Sequence, residues 1–329
     1  MRQRKTKRAM ERVAYSPSGR LLVGRDGHND VQVWDAQTLA PVEVVPSGDA
    51  RENLLDCLFW HGGARFLLEQ GYCSAAQDLP IGGPRPDHQY ALPRLGAEEH
   101  GWSWSARWRA PPNQHFACFG SDGRTFVGWH PAVEWADVGL WRFDGQLARA
   151  FEWMADWTVN DMALSADGRF LAAAQFSGAG YEVGLVDLQA NSSPSGTLFH
   201  TDNVLKVAWS PAAPLLACAA TRSVWVWDAP AAIGAIEQAG PHWRMQPAKP
   251  VHRFTGFRKT VEGLVLSPDG ALLAAGAREG RTRVWEVASG RERADLDWKC
   301  GKVNDLAFSP DGSTITAACS RGVVVWDAE

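Results

Sequence analysis

One frame recurs along the chain: a short apolar strand, a Ser-Pro-Asp-Gly-like turn, a second apolar strand, a short loop, and a third strand closing on Trp-Asp or a substitute. Its clearest copy runs from Lys302 to Glu329. Val303, Leu306, Ala307 and Phe308 form the first run, and Ser309-Pro310-Asp311-Gly312 ends it. Proline fixes φ, aspartate bonds the local backbone, and glycine accepts positive φ. Ser313 to Ala318 returns as a second strand, and Val323 to Trp326 is a β-branched third. A unit this small cannot bury its own faces, so a chain made of such units must stack them against one another.

Seven copies can be traced. The first has Val13 to Tyr15, the turn Ser16-Pro17-Ser18-Gly19, Leu21 to Val23 and Val31-Gln32-Val33-Trp34-Asp35. The second is worn, with Leu54 to Phe59, Gly62-Gly63, Phe66 to Leu68, and Gln77-Asp78 in the closing place. The third closes at Trp141, the fourth at Val186-Asp187, the fifth at Trp227-Asp228, the sixth at Trp285-Glu286 and the seventh at Trp326-Asp327. Spacings between closing positions are about 43, 64, 45, 41, 58 and 41 residues. A four-stranded unit needs about 40–45. The two long intervals therefore predict insertions, at about 80–114 and about 229–251, in a single domain spanning 1–329.

With these turns and closing dipeptides in phase, the chain resembles the WD-repeat β-propeller family over nearly its whole length. The resemblance implies an all-β fold, a seven-bladed propeller of four-stranded antiparallel blades. The family's polar network uses a His before the first strand and an Asp in the second turn. Only His200 fits the first column, and Glu279 is the acidic candidate for the second. Cohesion between blades is therefore expected mainly from Trp and β-branched packing. The chain shows no fourth strand after Trp326-Asp327, and in related propellers an N-terminal segment completes the last blade. Met1 to about Lys7, rich in Arg and Lys, is the segment in that position.

Composition narrows the uses. Hydrophobic residues make up 45% and charged residues 21%, as in a globular protein with ample core. A net charge of −4 argues against nucleic acid as partner. No window approaches the ~18 apolar residues of a membrane helix, and no apolar stretch follows the basic start, so a cytoplasmic location is expected and no membrane. The six cysteines are scattered without a Cys-x-x-Cys and read as reduced core thiols. There is no nucleophile triad order, phosphate loop or metal-spaced cluster. His28 with Asp26 and Asp30 is the nearest thing to a ligand group, and it falls in a solvated turn.

The expected function is thus a non-catalytic platform for a protein or peptide partner, monomeric on its own and without cofactor. Two alternatives remain open: a propeller enzyme with an axial cofactor, and a sensor subunit for a separately encoded signalling enzyme. In propellers of this family the first strands line the central channel. The resemblance thus places Arg12, Asp56, Phe116, Asp161, Lys206, Gly263 and Asp305 at its mouth, next to the column Glu11, Leu55, His115, Asn160, Leu205, Glu262 and Asn304. Of these, Arg12, Asp56, Phe116, Asp161, Lys206 and Asp305 are the partner-binding candidates. Replacing Asp56, Asp161 and Asp305 together with Ala is expected to remove binding at this face and leave the fold intact. A second candidate surface is the first insertion, where Trp102, Trp104, Arg107 and Trp108 crowd one run. Trp and Arg dominate interface hot spots, but alternating Trp residues also make an extra strand.

Overall fold

The computed structural model describes the backbone of residues 1–15, 19–28, 31–45, 53–59, 66–71, 89–95, 102–109, 115–119, 125–129, 137–142, 147–152, 158–177, 180–189, 196–200, 202–239, 249–297 and 299–328; between 43 and 159 the description is of the backbone alone. After β1 (Arg2–Lys5) comes a sheet of β2 (Met10–Tyr15), β3 (Leu21–Asp26), β4 (Val31–Asp35) and β5 (Pro41–Val45). Two hairpins follow, β6 (Asn53–Phe59) with β7 (Phe66–Gly71), and β8 (Gln89–Leu95) with β9 (Trp102–Arg109). The next sheet holds β10 (His115–Phe119), β11 (Thr125–Trp129), β12 (Asp137–Arg142) and β13 (Leu147–Glu152). Then come β14 (Thr158–Leu164), β15 (Phe170–Ser177), β16 (Gly180–Asp187) and β17 (Gly196–His200). The following sheet comprises β18 (Val204–Trp209), β19 (Leu215–Ala220) and β20 (Ser223–Asp228), then, after helix α1 (Ala229–Ala239), β21 (His252–Phe254). Last are β22 (Val261–Leu266), β23 (Leu272–Ala277), β24 (Arg281–Glu286) and β25 (Glu292–Asp297), and then β26 (Val303–Phe308), β27 (Thr314–Cys319) and β28 (Gly322–Asp327).

All strand pairs are antiparallel, and the first strands of successive sheets stand side by side. β26 neighbours both β22 and β2, β22 neighbours β18, β18 neighbours β14, and β14 neighbours β10, while β6 lies between β2 and β10. The core sits between adjacent sheets rather than within any one of them. One cluster joins Ala217, Val224 and Phe254 to Leu264, Leu273 and Trp285, and another joins Leu272 and Val284 to Leu306, Ile315 and Val324. Because the second strands are covered on both faces, they are built from small residues. β15 carries Ala172, Ala173 and Ala174, β23 carries Ala274 and Ala275, and β27 carries Ala317 and Ala318, all at 0% exposure. At Gly276 even a Cβ would collide with Val303 of the next sheet.

The turns behave as their residue types require. Ser309 Oγ pairs with Asp311 Oδ1 at 2.6 Å and also accepts the Thr314 N–H at 2.9 Å, with Gly312 at φ 75°. The turns at Ser267 and Ser165 repeat this arrangement, with Gly270 and Gly168 at φ 71° and 68°. Hydrogen bonding by the serine hydroxyl, and then by the local backbone, holds the Asp311 and Asp269 carboxyls below the usual range.

Strand β1 supplies the fourth strand of the β26–β28 sheet. Arg2, Gln3, Arg4 and Lys5 pair with Val325, Val324, Val323 and Gly322. A polar strand suits this place, because the outer edge of a sheet faces water. Removing residues 1–8 uncovers the valine edge of β28, and the expected result is a Tm lower by about 5 °C in scanning calorimetry. An unchanged Tm would show that this pairing contributes nothing to cohesion.

The second predicted insertion begins with a three-turn helix, α1. Asp228 closes β20 and accepts the Ala231 N–H at 2.9 Å, as Asp35 accepts the Thr38 N–H at 2.8 Å after β4. Both are N-cap geometries. After Asp35 the chain turns back into β5, whereas Ala229-Pro230-Ala231-Ala232 favours propagation with Pro in the first turn. Ala232 and Ile233 are buried against the neighbouring sheets. The first predicted insertion contains β8 and β9, so Trp102, Trp104, Arg107 and Trp108 all lie on a paired strand, with Trp108 opposite Tyr90 and Trp102 opposite Leu95. Gln77-Asp78, predicted to close the second copy, lie outside the described residues.

Candidate functional site

Five of the first strands break register at the same point. Pairing jumps from Met10 to Arg12, Val159 to Asp161, Val204 to Lys206, Val261 to Gly263 and Val303 to Asp305. The skipped residues are Glu11, Asn160, Leu205, Glu262 and Asn304. A bulge of this kind bends the strand and re-aims its side chains, and it also leaves backbone groups without ladder partners. Two sheets meet that need in the next one with one dipeptide. Asn304 Nδ2 donates to the Met10 carbonyl at 2.7 Å, and Asp305 Oδ2 accepts the Val13 N–H at 3.1 Å. Asn160 and Asp161 do the same for the Val204 carbonyl (2.7 Å) and the Val207 N–H (3.0 Å).

These bonds correct the expectation that Asp161 and Asp305 are free to be mutated. Each carboxylate clasps two sheets together and carries a cation from the next one: Arg12 at 3.9 Å from Asp305 and Lys206 at 3.7 Å from Asp161. Their replacement acts on stability before it acts on recognition.

Above the clasp, the skipped residues open into a cavity of about 520 Å³. Glu11 and Arg12, Asn160, Leu205 and Lys206, Glu262, and Asn304 reach it from five sheets. Arg12 and Lys206 line this cavity beside five residues of the neighbouring column, Glu11, Asn160, Leu205, Glu262 and Asn304. Asp56 and Phe116 occupy β6 and β10, their side chains being outside the described residues. Sequence reasoning missed Arg25, Arg278, Lys302 and Ser320, which also line the cavity. Arg25, Arg278 and Ser320 stand at or just after the end of a second strand, so aligning those ends would have found them.

Five cations line it, Arg12, Arg25, Lys206, Arg278 and Lys302, with the carboxylates Glu11 and Glu262, while Asp305 and Asp161 stand behind Arg12 and Lys206. Arg25 lies 3.2 Å from Glu11 and Arg278 2.5 Å from Glu262, which fixes the carboxylates among the cations. Arg278 and Lys302 are exposed.

In three sheets the turn after the second strand is tied to the crossover before the first. Glu279 Oε2 accepts the N–H groups of Arg258 (2.6 Å) and Lys259 (2.8 Å), Thr221 Oγ1 meets Asp202 at 2.8 Å, and Ser320 Oγ accepts the Lys302 N–H at 3.0 Å. Glu279 thus fills the acidic place expected of it, and different polar pairs serve the same tie elsewhere. His200 ends β17 opposite Tyr181, and its side chain is outside the described residues. Asp26 is occupied by the His28 N–H at 2.8 Å and by Arg8 at 3.6 Å. Among the described residues no group of three or more His, Cys, Asp or Glu could hold a metal, and no helix is long and apolar enough to cross a membrane.

Four-stranded antiparallel sheets set side by side, with bulged first strands around a shared opening, define an all-β protein of the propeller kind. Residues 192–228, 248–286 and 294–327 match the family model described as WD domain, G-beta repeat. Each segment takes in all or most of the outer strand of one sheet and the first three strands of the next. These three segments are WD repeats. It is similar to the small ribosomal subunit protein RACK1y of Oryza sativa subsp. japonica, 29% identical over 96 residues (29% of this chain, 28% of the relative). It is also similar to RACK1z of Arabidopsis thaliana, 35% identical over 75 residues (23% and 22%). WD repeat-containing protein 90 of Xenopus tropicalis is 25% identical over 167 residues (50% and 8%). The chain thus spans less than a third of the length of each of these relatives.

Proposed function

We propose that this chain is a non-catalytic interaction platform, a seven-bladed ring that holds a protein segment at the mouth of its channel. Strands β7 and β8 are neighbours, so the hairpins β6–β7 and β8–β9 together supply a second blade from residues 53–109. With it, the neighbouring first strands β2, β6, β10, β14, β18, β22 and β26 run round the ring back to β2. Similarity to RACK1 proteins supports an interaction role in general terms.

The observation that carries the reading is the cavity itself. It draws side chains from five sheets to one point, and its two exposed cations, Arg278 and Lys302, favour an acidic partner segment. Reversing Arg278 and Lys302 to Glu tests it, because both side chains are exposed and neither holds two sheets together. The doubly reversed protein should melt like the parent and lose capture of its partner at least about tenfold, with the parent's capture weakening as salt rises. Undiminished capture by a folded double variant would move recognition to Trp102, Trp104, Arg107 and Trp108.

A further inference from the structure

We propose that the acidic partner segment continues past the mouth along a basic ridge on the same face, across the crossovers that enter β22, β26 and β2. This rests on the reading of the mouth as the site of an acidic segment. Lys5, Lys7, Arg258, Lys259, Lys302 and Arg321 carry the ridge. All six are exposed, and none forms an ion pair among the described residues. The remaining cations of the cavity lining are engaged: Arg12 by Asp305, Arg25 by Glu11, Lys206 by Asp161 and Arg278 by Glu262.

Contacts between neighbouring sheets make the ridge continuous. At one end Glu279, in the turn after β23, holds the N–H groups of Arg258 and Lys259. That turn presses on the next crossover at Gly280, where a Cβ would stand 2.7 Å from the Gly301 carbonyl oxygen. Gly301 in turn lies against the last turn, and a Cβ there would stand 3.7 Å from Arg321 Cγ. Both glycines have positive φ, 89° and 82°, and the missing Cβ lets these backbones approach. Beyond this point the Thr6 N–H donates to the Arg321 carbonyl at 3.4 Å, which sets Lys5 and Lys7 beside the turn. Lys302 belongs to both surfaces, because it also lines the cavity.

Such a ridge attracts an anion, and the carboxylates set among its cations select the kind. Glu262 and Glu279 are half-buried on this face, so an anion lying across it passes close to them. A nucleic acid carries a phosphate on every nucleotide and must set some of them against these carboxylates. A peptide is charged only where its sequence places Asp or Glu. It can therefore meet the cations with acidic residues and the carboxylates with uncharged ones.

The test follows the fluorescence anisotropy of a labelled twelve-residue peptide of alternating Glu and Ser. Lys7→Glu with Lys259→Glu reverses the two ends of the ridge and leaves the cavity lining intact. Lys249→Glu with Arg293→Glu makes the same change in net charge at exposed positions beside the starts of β21 and β25. The ridge-end variant should melt like the parent and bind the peptide about tenfold more weakly, with the control pair within about twofold of the parent. If the reversed protein folds poorly, Lys7→Gln with Lys259→Gln carries the same comparison. Parent-like binding by the ridge-end variant, with loss in Arg278→Glu plus Lys302→Glu, would overturn the ridge and leave the mouth standing. A parent that ignores the peptide would overturn both. Equal losses in the ridge-end and control pairs would reduce the effect to net charge and overturn the ridge. So would tighter binding of a twelve-nucleotide oligouridylate or of phosphatidylserine vesicles than of the peptide, since the ridge would then serve another class of partner.

Discussion

Replacing Trp285 with Ala is expected to lower stability by about 3–5 kcal/mol, the cost of emptying a large aromatic site in a packed interior. Trp285 closes the third strand of its sheet yet packs against the sheet before it. Its ring stacks on Phe254 at 4.5 Å with an interplanar angle of 14°, and meets Phe257 edge-on at 6.0 Å. It is 3% exposed and shares a cluster with Ala217, Val224 and Leu273. The change therefore removes a wedge between two sheets rather than a contact within one. Against a total stability of roughly 5–15 kcal/mol, that is a large fraction. Urea denaturation measures it, and Trp285→Phe, which keeps an aromatic surface against Phe254, should recover part of the loss. A decrease below about 1 kcal/mol would contradict the packing role.

The second large effect is expected at the clasp. Asp305→Ala leaves the Val13 N–H unpaired at a part-buried position and strips Arg12 of its carboxylate, at a cost of about 1–3 kcal/mol. Asp161→Ala should cost a similar amount through Val207 and Lys206. The two sites share no partner, so the double variant should show about the sum. Asn304→Ala and Asn160→Ala isolate the carbonyl half of each clasp. If single aspartate variants unfold at the parent's urea midpoint, the sheets do not depend on these bonds. If they unfold earlier, loss of partner binding in Asp161 or Asp305 variants cannot be read as loss of contact with the partner. Arg278 and Lys302 are the informative positions for recognition.

Much of this was legible in the sequence because it is decided over a few residues. The Ser-Pro-Asp-Gly turns, the alternation of strand and turn, and the closing Trp-Asp pairs follow from φ preference and local side-chain bonds, and they reappear at Ser309, Ser267 and Ser165 in one geometry. Counting strands left a place for β1 beside β28. Helix α1 also had its signals in Asp228 and the alanines after it. The dipeptides Asn160-Asp161 and Asn304-Asp305 stand at matching places in two copies, yet nothing nearby says that they reach into the next sheet.

What the sequence determined by itself is the repeating unit, its turns and the order of its strands, because those depend on neighbours a few residues away. Tertiary structure alone decided that Asp305 holds Val13 and that Arg25, Arg278 and Lys302 share one opening. Asp305 and Val13 are 292 positions apart, and no local preference acts over that distance. Such contacts exist only once the sheets stand side by side, so their chemistry belongs to the assembled molecule.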